Sequence, residues 1–481
     1  MSDKKKRVVH STKSKALTVN LNESIYGTIA EIGAGQEVAR NFFRVGGASG
    51  TIAKAMSAYD MAFSDAIYGA ELNKRYVSES RVRKMLTHEY NLLKTRLKGD
   101  KYKGRRFFSF ANTITTLNYS RTNEPHGWIG VRYQLHEDAE PNEIILHVRI
   151  HDNNTILQQR VIGELGVNLI YGAYEYPDSP ETIIKSLKDY LSTNHIEIDM
   201  IRFSGPDYHD VDNRLLSLLL VQLGFTDATI FGPDNQCLQP KDFLYKKDVL
   251  MVRGRFRPVT NVNQDILLNG LDKFNKEPEV DPMKIVVMSE MNLNTLYDDE
   301  KLSRKDFLDR ADILCALGSY VMVSNFHEHA KLAQYLKRCR VRKIRMPIGV
   351  MNLIEIYGLK GENDLSVPVL KSFGELFSYD VKLYAYPYQP KKDSEIITAK
   401  TLRTTKRLES LHQHFLDNDY IVDIKNFNEE NLQIFSRDVL KMIQSGEPGW
   451  EDQVPEYVVD MIKSKCLFDY PCDPAEHQLS E

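Results

Sequence analysis

Four side chains that suit metal or acid–base chemistry follow a strand-like segment, residues 196–203, and a Ser-Gly-Pro turn. They are Asp207, His209, Asp210 and Asp212. Because ligands in open α/β sheets gather at the carboxyl ends of strands, we expect a site here. Asp207 and Asp212 are the predicted ligands of Mg²⁺ or Mn²⁺, which prefer oxygen donors. His209 and Asp210 are the predicted catalytic groups. In the competing interpretation, Asp210 or Asp212 caps the apolar helix that follows.

A glycine-rich stretch over residues 30–60 has the composition of a phosphate cradle: AEIGAGQEVARNFFRVGGASGTIAKAMSAYD. Gly33 and Gly35 match the dinucleotide-binding fingerprint, whereas its third glycine is replaced by Val38. The letters AEIGAGQE are also similar to the first motif of class I methyltransferases. Gln36 opens a helical segment whose N-terminus attracts anions. Gly33, Gly35 and Gln36 are therefore predicted to contact a nucleotide or phosphate.

The same stretch also fits two short helices joined by glycines. Residues 36–45 have helical apolar spacing, and Gly46 and Gly47 stand where a helix end favours a positive φ. Ser49 is placed to cap a second helix, because apolar positions across residues 52–59 share one helical face. This interpretation predicts a helix over residues 52–59, where a methyltransferase fold needs a strand.

Three arginines at alternate positions form the third candidate site. In the segment RGRFR, strand alternation puts Arg253, Arg255 and Arg257 on one face. Guanidinium groups bind phosphate well, so Arg255 is a predicted contact for an anionic ligand. The alternative is a solvated edge strand whose charges prevent pairing with other strands.

Composition narrows the class of protein. The chain has 481 residues, a net charge of −3 and five cysteines without a CxxC pair. These features favour the cytoplasm, reduced cysteines and no dedicated duplex nucleic-acid binding. No apolar run approaches the length of about 18 residues that a membrane span needs, and no signal peptide is visible, so we expect no membrane association.

Strand-like and helical segments alternate along most of the chain, which predicts an α/β fold with mostly parallel or mixed sheets. The expected order is a flexible basic arm (1–16), an N-terminal α+β region (17–142), a first α/β unit (143–281), a second α/β unit with C-terminal helices (282–470) and a loose tail (471–481).

The chain resembles a poorly characterised bacterial family of similar length. The resemblance rests on the segments YGTIAEIGAGQEVARNFF, GGASGTIAKAMSAYDM, DMIRFSGPDYHDVDNRLLSL and IFSRDVLKMIQSGEPGWE. Members carry labels such as nicotinate-nucleotide adenylyltransferase and TonB-dependent receptor. The receptor label conflicts with the missing signal peptide. The first label implies an α/β adenylyltransferase, but this sequence lacks the His-x-Gly-His of that class, so no catalytic residue is assigned by resemblance.

Together these features predict a cytoplasmic enzyme that handles a nucleotide or phosphate, with a nucleotidyltransferase as the specific hypothesis. The alternative is a non-catalytic binding or scaffold protein that self-assembles into a homo-oligomer. Convergence of the candidate sites on one concave surface would favour the enzyme.

Overall fold

The computed structural model describes residues 7–72, 74–298, 301–357, 369–406 and 408–472. It confirms the predicted α/β class, with two large sheets, one mixed and one largely parallel. The chain divides into two compact units, Met1–Thr229 and Ile230–Glu481. Within the described residues, no helix is both long and apolar enough to cross a membrane.

Unit 1 contains seven helices and six strands within its described residues. In chain order they are α1 (Thr12–Asn20), β1 (Ile25–Gly33), α2 (Gln36–Phe43), β2 (Ile52–Ser57), α3 (Met61–Tyr68), α4 (Glu79–Arg96), β3 (Arg106–Thr115), β4 (His126–Tyr133), β5 (Asn142–Ile150), α5 (Thr155–Glu175), α6 (Pro180–Leu187), β6 (Ile196–Ser204) and α7 (Asn213–Gln222).

The sheet of unit 1 has the order β2-β1-β3-β4-β5-β6. β1 is parallel to both of its neighbours, and the remaining pairs are antiparallel. Helix α5 packs closely on α2 at Gly166. A Cβ at this position would lie only 2.5 Å from the side chain of Val38, so the close approach depends on the glycine. The domain boundary predicted at residue 142 falls inside this sheet, since β5 pairs with both β4 and β6.

The second half of the N-terminal arm, predicted to be flexible over residues 1–16, is ordered. Helix α1 begins at Thr12, and the Lys15 ammonium is buried and lies 2.7 Å from the Asp189 carboxylate. Arg7 pairs with the same carboxylate at 2.5 Å. Residues 1–6 lie outside the described residues, so the flexibility predicted for that part of the arm stays a prediction.

The boundary between the units falls inside β7, which pairs within the second sheet. From there the elements are β7 (Ala228–Phe231), β8 (Cys237–Leu238), α8 (Pro240–Leu244), β9 (Asp248–Arg253), α9 (Asn261–Asn275), β10 (Ile285–Asn292), β11 (Tyr297–Asp298), β12 (Lys301–Leu302), α10 (Arg304–Ala316), β13 (Tyr320–Ser324), α11 (His329–Arg338), β14 (Lys343–Gly349), α12 (Val350–Ile356), α13 (Val369–Phe377), β15 (Val381–Tyr386), α14 (Glu409–Asp417), β16 (Ile421–Asp423), α15 (Ser436–Ser445) and α16 (Glu456–Lys465).

The eight-stranded sheet has the order β16-β15-β14-β9-β10-β13-β7-β8. The strands from β16 to β13 in that order pair in parallel, and their buried, apolar sequences are typical of a sheet covered on both faces. The boundary predicted at residue 281 falls inside unit 2, because β10 pairs with β9.

One expectation about cysteine chemistry is wrong. Cys466 and Cys472 form a disulfide, with their Cα atoms 5.9 Å apart, whereas Cys237, Cys315 and Cys339 are free and buried. The spacing of the two cysteines in the sequence did not predict this pair. They come together because the chain reverses after α16 through a positive φ of 50° at Cys466. The predicted tail, 471–481, lies outside the described residues from 473 onward.

Candidate functional site

Two glycines shape the carboxyl end of β1. Gly33 has a φ of +85°, and a Cβ built there would lie 1.9 Å from the carbonyl oxygen of Ile114, so a side chain is sterically excluded. Gly35 is the N-cap residue of α2. Helix α2 therefore begins at the carboxyl edge of the sheet, where its free backbone N–H groups carry a partial positive charge.

The segment after α2 is a strand, so the helix predicted over residues 52–59 is wrong. β2 pairs in parallel with β1, and Glu31 stands in register with Ser57. Ladder hydrogen bonds to β1 outweigh the helical spacing of the apolar residues. The predicted positive φ is confirmed at both Gly46 (83°) and Gly47 (73°), which follow the end of α2.

Glu31, near the end of β1, is a buried carboxyl group with only one of its oxygens satisfied. Its side chain is 6% exposed, and its Oε1 accepts a 3.0 Å hydrogen bond from the Ser57 hydroxyl. Its Oε2 is buried and has no hydrogen-bond partner among the described residues. Burial raises the pKa of Glu31 to about 7, and the Ser57 hydrogen bond opposes part of that rise. The carboxyl group can therefore gain or lose a proton near neutral pH.

Asn112 stands beside Glu31 on β3, in register with it. The Asn112 side chain is fully buried, yet neither its Nδ2 nor its Oδ1 has a hydrogen-bond partner within the described part of the chain. A Cβ built on Gly35 would lie 2.2 Å from Asn112 Nδ2 and 2.7 Å from Glu31 Oε2. The free polar atoms of both residues thus pack directly against the backbone of Gly35, where there is no room for a side chain.

Two exposed side chains link the Glu31 carboxyl group to the surface. Gln36 donates from Nε2 to the Ser57 hydroxyl at 3.2 Å and to the Gly33 carbonyl oxygen at 2.8 Å. Ser57 in turn donates to Glu31. A chain of hydrogen bonds therefore links the exposed Gln36 to the buried carboxyl group.

The arrangement combines three properties within one strand–helix–strand motif. It has a carboxyl group that titrates near neutral pH, an unsatisfied buried amide and the N-terminus of an eight-residue helix. An unsatisfied buried polar group costs about 1–3 kcal/mol, and a bound water, ion or ligand is one way in which such a group gains its missing partner. We name Glu31, Gly35, Gln36, Ser57 and Asn112 the β1-edge site. It includes the predicted contacts Gly35 and Gln36, and Gly33 forms its turn.

The predicted catalytic pair lies at the surface. It follows the carboxyl end of β6, as expected, but the side chains of His209 and Asp210 are 74% and 89% exposed. His209 Nε2 lies 3.0 Å from Asp210 Oδ2, and His209 Nδ1 lies 2.8 Å from the carbonyl oxygen of Pro206. These two groups face solvent rather than a buried ligand space.

The two predicted metal ligands have separate protein partners. Asp207 accepts a 2.7 Å hydrogen bond from the Asn142 amide. Asp212 caps α7 by accepting from the Arg214 backbone N–H and also pairs with the Arg214 guanidinium at 2.7 Å, as the helix-cap interpretation predicts. Across the described residues, no group of three or more His, Cys, Asp or Glu side chains is arranged to hold a metal ion. These residues therefore provide no ligand set for the predicted Mg²⁺ or Mn²⁺.

The arginine row is not one strand face, which corrects the predicted geometry around Arg255. β9 ends at Arg253, and the chain then turns through a positive φ of 51° at Phe256. Arg253 pairs with Glu290 at 2.7 Å, and Arg257 pairs with an acid of α10 at 2.5 Å. Arg255 is exposed just beyond the strand in unit 2, whereas Gly33, Gly35 and Gln36 belong to unit 1.

Three side chains of the β1-edge site, Glu31, Ser57 and Asn112, were not predicted from the sequence. Asn112 comes from a strand remote in sequence, and Ser57 lies in a segment predicted to be helical. Glu31 carried a signal, since an acid two residues before a Gly-x-Gly at the end of a strand lies at the edge of a sheet where ligands usually bind.

No protein-family model matches the chain, and no curated protein sequence matches it. Several solved structures are similar over about a third of the chain. The competence/damage inducible protein CihA from Agrobacterium tumefaciens is 12% identical with a TM-score of 0.25, and the match covers 34% of this chain and 96% of that one. A CinA superfamily protein from Enterobacter cloacae is 13% identical, also with a TM-score of 0.25, covering 39% and 98%. At this similarity the matches define no function for the chain.

Proposed function

We propose that unit 1 binds a nucleotide or another small phosphate-bearing ligand at the β1-edge site, and that Glu31 exchanges a proton with this ligand. The observation that carries the proposal is that Glu31 and Asn112, neighbours in register beside the start of α2, both leave buried polar atoms without a hydrogen-bond partner among the described residues. A ligand would give both groups the hydrogen bonds that the protein does not provide.

The charges at the site favour a phosphate-bearing ligand. The N-terminus of α2 attracts an anion through its free N–H groups. Glu31 does not oppose this attraction when it is protonated, because a neutral carboxyl group donates a hydrogen bond to a phosphate oxygen. Once deprotonated, the same group is a general base. Nucleotidyl transfer, in which a base removes a proton from the attacking group, is the specific reaction we propose, and the family resemblance names it.

A thermal-shift and calorimetric titration with ATP, AMP and inorganic phosphate tests the proposal. A ligand present at 100 times its Kd stabilises the protein by about 2.7 kcal/mol. Gly35→Ala should abolish this stabilisation, because the added Cβ would lie 2.2 Å from Asn112 Nδ2 and 2.7 Å from Glu31 Oε2 and displace both groups. Gly50→Ala is the matched control, since a Cβ there meets no atom within 4 Å and its φ is not positive.

Asn112→Ala tests the same site without adding bulk. It removes the amide and introduces no steric clash, so it should weaken binding of the same probes and leave the fold intact. Wild-type binding in both the Gly35 and the Asn112 variants would overturn the proposal. Binding without turnover of any nucleotide would favour the non-catalytic alternative.

A further inference from the structure

A ligand-sized cleft lies in unit 2, at the opposite edge of a parallel sheet from the edge where ligands usually bind. A cleft of about 800 Å³ is lined by Lys241, Tyr245, Lys246, Lys284, Lys337, Arg340, Val341 and Arg342. Most of these residues immediately precede three adjacent strands, β9, β10 and β14, or end helix α11. We name this feature the basic cleft.

The basic cleft concentrates positive charge in a protein whose net charge is −3. Six of its eight lining residues are lysine or arginine, and none is acidic. Arg342 pairs with the buried Asp248, and Lys284 pairs with Asp281 at 3.1 Å. In the described part of the chain, Lys246 and Arg340 form no ion pair with a carboxylate. Their charges are therefore free to act on a ligand, and clefts lined by one sign of charge focus the electrostatic field.

The backbone holds these cations in fixed positions. The Lys246 N–H donates to the Arg340 carbonyl oxygen at 3.0 Å, and the Arg342 N–H donates to the Lys247 carbonyl oxygen at 2.8 Å. Lys246 and Arg340 both have a positive φ, 57° and 63°, which is uncommon for residues with a side chain. Two strained loops are thus bound to each other, and each presents a cation to the cleft.

Tyr245 adds an aromatic surface to this charge. Its side chain is 52% exposed, and the Lys246 ammonium lies 5.1 Å from its ring centroid. Grooves that bind single-stranded nucleic acid combine cations along the phosphate backbone with exposed rings on which bases stack.

We propose that the basic cleft binds a chain of phosphate groups, as carried by single-stranded nucleic acid or a nucleoside triphosphate, and that Tyr245 stacks on a base of this ligand. The recognition is by charge and stacking and has no reaction attached to it. This proposal concerns unit 2 and does not depend on the β1-edge site.

Fluorescence-anisotropy titrations of the full chain test the proposal with three probes. These are a labelled oligouridylate of about 12 nucleotides, labelled ATP, and unlabelled inorganic triphosphate as a competitor. Lys246→Gln combined with Arg340→Gln should weaken binding about tenfold or more at low salt. It should also reduce the slope of log affinity against log salt by about 1.4 for the single strand, because two phosphate contacts are lost.

The control is Lys400→Gln combined with Lys441→Gln, which removes the same charge from exposed positions of unit 2 outside the cleft lining. Its affinity should stay within about twofold of wild type if binding is local to the cleft. Equal losses in both double variants, or no binding of any probe, would overturn the proposal. Tighter binding of the oligonucleotide than of ATP identifies nucleic acid as the source of the phosphates, and the reverse identifies a nucleotide.

Tyr245→Ala separates stacking from charge. It should weaken the oligonucleotide and ATP about tenfold, since stacking of a base is worth about 1–3 kcal/mol, and leave triphosphate unaffected. Unchanged binding of both base-bearing probes would refute the role given to Tyr245.

Discussion

Unit 1 places acidic residues near the end of two different strands, each followed by a turn and a helix, and the two places differ completely. Glu31, near the end of β1, is buried with one oxygen unsatisfied. Beyond β6, Asp210 is exposed, and Asp212 is engaged by the helix it caps. The same order of strand, turn and helix thus produces a buried, partly unsatisfied carboxyl group in one place and solvated or partnered ones in the other.

The position of each strand in the sheet explains this difference. β1 lies between two parallel strands, so Ser57 and Asn112 reach the same edge as Glu31 and enclose it. β6 is an edge strand, and its one neighbour, β5, is antiparallel to it. β5 begins, rather than ends, beside the carboxyl end of β6, and although its Asn142 binds Asp207, His209 and Asp210 stay exposed. In this unit, parallel neighbours on both sides distinguish the enclosed strand end of β1 from the open one of β6.

The largest expected effect is the pH dependence of stability that the buried Glu31 produces and an exposed acid does not. The Glu31 pKa is raised from 4.5 to about 7 in the folded protein, so its contribution to stability is full below about pH 4.5 and is lost as pH rises through 7. Wild type should therefore lose about 3 kcal/mol of unfolding free energy between pH 4.5 and 8 relative to Glu31→Gln, which does not titrate.

Urea unfolding followed by Trp128 fluorescence measures this loss. The chain has two tryptophans, and Trp128 is the one in unit 1, so all variants share a Trp450→Phe background. Parallel pH profiles for wild type and Glu31→Gln would show that Glu31 has an ordinary pKa and that the two acidic regions do not differ as described.

An intermediate effect is expected at the helix cap. Asp212→Ala removes the hydrogen bond to the Arg214 N–H and should cost about 1 kcal/mol in the same unfolding measurement. Asp212→Asn keeps a capping oxygen and should lose less. If Asp212→Ala instead preserved stability and abolished binding of ATP or phosphate, Asp212 would belong to a ligand site, and the contrast with Glu31 would fail.

The smallest effect is expected at the exposed pair. His209→Ala combined with Asp210→Asn should change the unfolding free energy by no more than about 0.5 kcal/mol, as is usual for surface positions. Calorimetric affinities for ATP, AMP and phosphate should match wild type. A lost affinity at unchanged stability would restore the originally predicted catalytic pair.

The sequence by itself determined the features that depend on near neighbours in the chain. The apolar spacing of residues 36–43 specifies α2, Gly46 and Gly47 accept the positive φ beyond its end, and Asp212 caps α7. The alternation of strands and helices also specified the α/β class. In each case the energy comes from backbone conformation or from hydrogen bonds a few residues apart, so the local pattern was sufficient.

Tertiary structure decided where the chemistry lies. Residues 52–57 have helical spacing but form β2, because pairing with β1 satisfies their backbone groups. Asn112 reaches Glu31 only through the register of β1 with β3. The raised pKa of Glu31 is likewise a property of the assembled sheet, because burial removes water from the carboxylate and disfavours its charged form. Local patterns do not encode strand order, and strand order determined which acid was buried.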